Sequence, residues 1–263
     1  MVVLVGYALL SAYPFLWMVS GSFKNQREVL SSGRIVPKDP TLRTLADTWS
    51  KLDFARYLTN SILVTTGTVA LILVVYPMAG YAFSVLRFPG RRVLFAGFGA
   101  ILFVPGVTTL LPLVLLTQKL HLLGSWTGLG LAFANGAGPL AILIFKTFYD
   151  SIPTELREAA LIDGAGELRI HFGIYLPLAR PAVAAVAVLN FVAIWNEYVL
   201  SSVSLTDPAK FTLPLGLQNL LSTNVVQWNQ VMAGAMLLVL PIIIVFVALQ
   251  RYFVSAIQGA IKG

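Results

Sequence analysis

Apolar residues along this chain fall into six long runs, at about 2–21, 59–86, 93–117, 128–149, 182–203 and 231–253. Charged residues collect between them. A hydrocarbon layer about 30 Å thick takes about 20 residues of helix. Each run therefore predicts one membrane-spanning helix, and the chain predicts an all-α integral membrane protein of six spans. Pro14, Pro77, Pro105, Pro112, Pro139 and Pro241 interrupt these runs. In lipid such breaks are tolerated where neighbouring helices or a cavity satisfy the freed carbonyls, so they read either as ordinary kinks or as flexible points along a solute route. The first run has two readings, a cleaved signal peptide ending near VSG or a retained helix. The missing basic n-region and the full spanning length favour the helix.

Two connecting segments carry patterns of their own. In 22–58, Leu42, Leu45, Trp49, Leu52 and Tyr57 recur at roughly helical spacing, which suits an interfacial helix or a solvated linker with one helical turn. The loop at 150–181 opens with DSIPTELREAALIDG. Ser151 and Pro153 supply a helix start, Glu155 and Glu158 fall where the helix dipole favours acids, and Asp163-Gly164 supplies a stop. Leu156, Ala159 and Ala160 form a small apolar stripe. A helix of about ten residues needs something to pack against, either its own bundle or a groove on a partner. No long Gly/Ser linker, low-complexity tract or short-period repeat interrupts the chain, so residues 1–263 read as a single transmembrane domain.

Composition narrows the choice. The 263 residues are 57% hydrophobic and 11% charged, and the mean hydropathy is +0.83. Lipid is the solvent that accommodates so much apolar surface. The net charge of +7 is scattered between apolar runs and forms no stripe, which argues against nucleic acid and for contact with anionic lipid. There is no cysteine, and His121 and His171 have no ligand-like neighbours in sequence, so no metal is expected. Orientation rests on the compact group Arg87, Arg91 and Arg92, which marks its loop as cytoplasmic and with it both termini and the 150–181 loop. Against this, the 22–58 segment holds seven Lys/Arg residues and would lie outside.

One carboxylate falls inside a run: Glu197, in NFVAIWNEYVLSS. A charge within a span is a functional candidate by default. A solute route wants polar groups beside aromatic faces, so Asn190, Trp195, Asn196 and Glu197 are candidate pathway residues. On a continuous helix Asn190 and Glu197, seven apart, would share a face. The opposing reading makes Glu197 a snorkelling interfacial group and Trp195 a membrane anchor. No phosphate-cradling G-x-x-x-x-G-K-[ST], nucleophile elbow or H-E-x-x-H occurs, so no catalytic residue is expected.

EAALIDGA at 158–165, followed by IYLPLARPA, resembles the EAA loop of ATP-binding-cassette (ABC) importer permeases. NSILVTT at 60–66, FPGRR at 88–92, WNEY at 195–198 and the run from FTLPLGL through MAGAMLLVLP and LQRYFV to GAIKG resemble the carbohydrate permeases of the maltose-transporter type. Residues 22–57 match poorly. Gly166 stands where these permeases often carry Ser or Thr, a change costing a few tenths of a kcal/mol as a cap.

The resemblance implies a sugar permease subunit, for a di- or oligosaccharide. Leu156, Glu158, Ala159, Ala160, Asp163 and Gly164 would couple it to a cytoplasmic ATPase dimer. It further implies a second permease as heterodimer partner, an extracytoplasmic solute-binding protein, location in the inner membrane, and no cofactor in this chain, with ATP and Mg bound by the ATPase. The alternative is a proton-coupled secondary carrier using Glu197.

Overall fold

The computed structural model describes residues 1–51, 53–222 and 225–261. Among them every regular element is helical. In chain order these are α1 (Val2–Ser22), α2 (Gln26–Ser31), α3 (Arg43–Lys51), α4 (Phe54–Ser84), α5 (Arg91–Ile101), α6 (Gly106–Lys119) and α7 (Trp126–Asp150). There follow α8 (Glu155–Ile162), α9 (Glu167–Ile170), α10 (Leu176–Leu178), α11 (Arg180–Trp195), α12 (Val199–Ser204), α13 (Leu213–Leu221) and α14 (Trp228–Ile261). A π-helical turn, His171–Tyr175, joins α9 to α10.

Four helices are each long and apolar enough to cross a membrane: Val3–Ser22, Phe54–Ser84, Trp126–Asp150 and Trp228–Ala248. Two further candidate spans are bent pairs of helices. The run at 93–117, expected as one helix, is α5 and α6 meeting at 106°. Pro105 stands at the start of α6, where its missing N–H and fixed φ suit a helix start and forbid continuation from α5. The other pair bends by 78° between Leu178 and Arg180. Pro181 in the first turn of α11 has no N–H to offer the preceding turn. Pro14, Pro77, Pro112, Pro139 and Pro241 lie inside continuous helices.

The chain divides into two compact units. The first comprises Met1–Ile62 and Glu197–Ile244. Within it the segment after α1 is folded, neither a free linker nor a lone surface helix. Lys24 is 1% exposed, donates from Nζ to the Arg34 carbonyl and stands 4.7 Å over the Trp17 ring. Thr44 Oγ1 donates to the Lys24 carbonyl at 3.0 Å, and Asn229 Nδ2 donates to the same carbonyl at 3.4 Å and to Thr44 Oγ1 at 3.3 Å. The inner face of α3 is therefore Thr44 and Thr48, while Leu42 and Trp49 stay exposed and Leu45 is half-buried. That inner face is polar because buried backbone carbonyls need donors, and Leu42 and Trp49 of the expected apolar stripe lie on the outer side. Of that stripe, Tyr57 is buried and Leu52 lies outside the described residues.

Asn60 and Ser61 anchor the chain beyond α12. Asn60 Nδ2 donates to the Ala209 and Phe211 carbonyls, both at 2.9 Å. Ser61 Oγ accepts the Leu213 N–H at 2.7 Å.

The second unit comprises Leu63–Asn196 and Val245–Gly263, of which Lys262 and Gly263 lie outside the described residues. Its core gathers Ile72, Tyr81, Phe145, Tyr149, Ile170, Tyr175 and Val186. Small residues let α4 and α7 approach closely, as expected for helices packing without a hydrophobic driving force. A Cβ on Gly80 would meet the Cβ of Phe145 at 2.5 Å, and one on Gly138 would meet the Tyr76 ring at 2.9 Å. Tyr76 O–H donates to the Ala134 carbonyl at 2.7 Å. By contrast α5 has no buried residue and α6 only Thr117.

Gly80→Ala should therefore lower the unfolding free energy by about 1–3 kcal/mol through overpacking against Phe145. Gly97→Ala, on α5 with open space around its Cβ, should be neutral or slightly stabilising. Thermal unfolding of the detergent-solubilised protein, followed by tryptophan fluorescence, checks the pair.

Candidate functional site

The 150–181 loop builds its site around α8. Thr154 precedes the helix without a side-chain cap, and Glu155 and Glu158 occupy the first turn, where they offset the partial positive charge of the free N–H groups. The helix stops after Ile162 at a left-handed glycine, Gly164, with φ +79°. Gly164 N–H donates to the Leu161 carbonyl at 3.0 Å and Ala165 N–H to the Ala160 carbonyl at 2.9 Å. These two bonds make a Schellman motif, which satisfies the last carbonyls and needs glycine at its left-handed position.

The faces of α8 follow from this. Ala160 packs against the core of the second unit and Arg157 is half-buried. The expected stripe Leu156, Ala159 and Ala160 is thus divided: Ala160 turns inward, while Leu156 and Ala159 stay exposed with Glu158, Leu161, Ile162, Asp163 and Gly164. Ile162 is 87% exposed. Glu158 has no hydrogen bond or ion pair among the described residues. The coupling candidates other than Ala160 therefore lie outward, apolar at Leu156 and Ala159 and acidic at Glu158 and Asp163.

Residues not singled out from the sequence hold α8 in place. Arg157 forms a two-pronged ion pair with Glu167, through Nη2 to Oε1 and through Nε to Oε2 at 3.3 Å. Tyr81 of α4 donates its hydroxyl to Glu167 Oε2 at 2.6 Å. One carboxylate thus ties the coupling helix to a span. The bond to Glu167 pushes the Arg157 guanidinium further up from its already high pKa. Arg157 in turn holds the Glu167 carboxyl, at the head of the run that leads into α11, below the usual carboxylate range. Behind them lies an aromatic cluster. Tyr81 packs edge-on to Tyr149 and Tyr175 at 6.2 and 5.0 Å, and His171 is 5.1 Å from the Tyr81 ring. The signal available in sequence was the charge pair Arg157 and Glu167, ten residues apart across a turn. Only the turn geometry brings them together.

A polar cleft of about 840 Å³ opens beside α8, lined among others by Arg87, Arg91, Tyr149, Thr154, Arg157 and Glu158. A second, of about 510 Å³, is lined by Arg87, Phe88, Gly90, Arg91, Arg92 and Val93.

The four pathway candidates do not share one helix face. The 182–203 run, expected as continuous, ends its helix at Trp195, with Asn196 as C-cap. Glu197 then caps α12: Oε1 accepts the Leu200 N–H at 2.6 Å, and Oε2 accepts the Ser201 N–H at 3.1 Å and the Ser201 hydroxyl at 3.0 Å. The carboxylate satisfies N–H groups in the first turn of α12, which have no partner in a preceding turn. Asn190 and Asn196 donate back to the carbonyls of Val186 and Val192, each at 2.8 Å. Trp195 is buried and stacked on Phe191 at 5.4 Å.

Comparison with known proteins gives the following. A family described as binding-protein-dependent transport system inner membrane component matches residues 76–259. The diacetylchitobiose uptake system permease of Streptomyces coelicolor is 31% identical over 262 residues, covering 98% of this chain and 87% of its own. The galactooligosaccharides transport system permease of Bacillus subtilis is 34% identical over 261 residues, covering 97% and 92%. Among solved structures, a bacterial ABC transporter involved in import of the acidic polysaccharide alginate superposes with a TM-score of 0.84 at 28% identity. That match covers 96% of this chain and 94% of the other.

Gly164→Ala should destabilise the end of α8 by about 1–2 kcal/mol, the strain of a Cβ in the left-handed region; open space around that Cβ leaves no steric contribution. Gly164→Asn should cost less. Faster amide hydrogen exchange at Asp163, Gly164 and Ala165, in that order of variants, is the expected reading.

Proposed function

Because this chain belongs to the family of binding-protein-dependent transport system inner membrane components, we propose that it is one permease of a sugar ABC importer, driven through α8. Its partners are a second, different permease, a cytoplasmic ATPase dimer and an extracytoplasmic solute-binding protein. The solute is a di- or oligosaccharide, the class named for the chitobiose and galactooligosaccharide relatives. Both termini and the 150–181 loop lie on the cytoplasmic side. ATP and Mg are held by the ATPase, and this chain contributes no catalytic group.

The observation that carries the reading is the outward face of α8. Leu156, Ala159, Leu161 and Ile162 leave apolar surface uncovered on a helix of eight residues, and a helix so short holds its shape only where something packs on it. Ala159 allows close approach, Glu158 meets a basic or polar partner group, and Asp163-Gly164 sets the turn. When the ATPase subunits close on ATP, α8 moves with them. The Arg157–Glu167–Tyr81 hydrogen bonds carry that movement into α4 and towards α11. The exposed flanks of α5 and α6, with Phe103 89% and Val107 81% exposed, supply area for lipid and for the second permease.

Asn196 and Glu197 stand at the break between α11 and α12, with Asn190 and Trp195 on α11 before it, and a break at membrane depth is found where backbone lines a cavity or is buried in protein. Asn196, exposed at the end of α11, is the candidate best placed to meet a sugar hydroxyl. Proton coupling through Glu197 has no structural observation in its favour, since the carboxylate is occupied as a helix cap.

Glu158→Lys should weaken co-purification of the ATPase about tenfold or more, the loss of one charge-assisted contact at about 1.5–3 kcal/mol, with an unchanged unfolding midpoint for the isolated chain. Retention of the ATPase at the wild-type level would remove α8 as the coupling element. Binding-protein-dependent stimulation of ATP hydrolysis, screened over a panel of oligosaccharides in the reconstituted complex, identifies the solute.

A further inference from the structure

Three guanidinium groups beside α8 have no carboxylate partner. The cations around them are neutralised: Arg157 pairs with Glu167, and Lys146 pairs with Asp150, which also accepts from Ser84 at 2.7 Å. Arg87, Arg91 and Arg92 have no ion pair among the described residues. Arg91 makes one internal bond, from Nη1 to the Leu86 carbonyl at 3.0 Å. Arg87 and Arg91 line both of the adjoining clefts, and Arg92 lines the smaller.

The start of α5 adds to this field. Its N-cap is Gly90, which offers no side-chain acceptor, and its first turn holds no acid. Arg91 N–H donates to the Phe88 carbonyl at 3.4 Å, and the positive end of the α5 dipole lies where Gly90, Arg91, Arg92 and Val93 line the small cleft. Arginine is the residue suited to holding a phosphate through paired N–H groups.

A second observation points into the larger cleft. Tyr149 lines it, is 1% exposed, and its hydroxyl has no hydrogen-bond partner. A buried hydroxyl left without a partner costs free energy that a ligand's polar group recovers. Thr154 and Glu158 line the same cleft. An unpaired carboxylate disfavours a second phosphate but accepts from hydroxyls. The two clefts together therefore fit one phosphate joined to a hydroxyl-bearing group. Val93 and Leu94, on the first turn of α5, are 77% and 53% exposed. Apolar side chains of this kind beside a basic cluster are suited to the acyl boundary of a bilayer.

We propose that Arg87, Arg91 and Arg92 bind the phosphate of an anionic phospholipid of phosphatidylglycerol type, with the headgroup hydroxyls in the adjoining cleft against Tyr149 and Thr154. The site rests on the cytoplasmic orientation proposed above. It places a leaflet lipid at the hinge from which α8 projects.

The test uses the full chain with its co-purifying subunits, reconstituted in bilayers of phosphatidylethanolamine containing a minor share of phosphatidylglycerol. Retained lipid is counted by native mass spectrometry. The wild type should keep phosphatidylglycerol in preference to phosphatidylethanolamine. The double variant Arg87→Gln/Arg92→Gln, which spares the Arg91–Leu86 bond, should keep at least about tenfold less. Arg34→Gln, in the first unit, should change nothing, and unfolding midpoints confirm that all three proteins are folded. Equal retention by wild type and double variant overturns the site.

Displacement of the lipid by millimolar inorganic phosphate or glycerol 3-phosphate, with no preference left between the two lipids, makes it a free-anion site and overturns the lipid assignment. Loss of the ATPase with unchanged lipid retention assigns the arginines to a protein partner, which also overturns it. The ATPase is scored in the same preparations, so its absence from the wild type counts against the importer reading and leaves the lipid count to stand by itself.

Discussion

A chain in hydrocarbon has no water to satisfy its N–H and C=O groups, so each departure from helix must supply its own hydrogen bonds. The breaks in this protein obey that constraint locally. Between α5 and α6 the N–H groups of Leu102, Phe103 and Val104 reach back to Gly99, Ala100 and Ile101. At the other bent pair Ala179 donates to Tyr175 and Val183 donates to Ala179. After α11, Asn196 N–H bonds to the Val192 carbonyl and the Glu197 carboxylate takes the next free donors. The shape of each unit follows from where these self-contained breaks are possible.

The same logic explains how the short helix after α7 is held in place. An eight-residue helix has little intrinsic stability. Here its C-terminus is closed by the Gly164 turn, its inner face is seated through Ala160, and its charge is tied through Arg157 and Glu167 to the Tyr81 hydroxyl. Anchored on one side and bare on the other, α8 suits the coupling role proposed above. The π-helical turn at His171–Tyr175 lies between this anchor and α11, and such turns mark points where a helix changes register at functional sites. Phospholipid bound at Arg87 and Arg91 would bear on the same anchor from the membrane side.

Much of this was legible in the residues. Six apolar runs, the short helix in 150–181 and its glycine stop depend on periodicity and on one backbone preference, which are local properties. The division of the 93–117 run was signalled by Pro105, though a proline inside a span is compatible with a kink or a break, and Pro77 and Pro139 sit inside continuous helices. In segment 22–58 the spacing of the apolar residues marked a helix but not its polar inner face, where the Lys24 carbonyl and the Asn229 amide gather Thr44.

Sequence alone determined the solvent, the class and the short helix of the 150–181 loop, because hydropathy over twenty residues and a left-handed glycine act without reference to distant parts of the chain. Tertiary structure decided which face of α8 is free, that Glu167 joins Arg157 to Tyr81, and that Glu197 serves as a cap. Each of these depends on which donor comes within about 3 Å of which acceptor. No linear pattern encodes that proximity, since it arises only when helices far apart in sequence share one packed core.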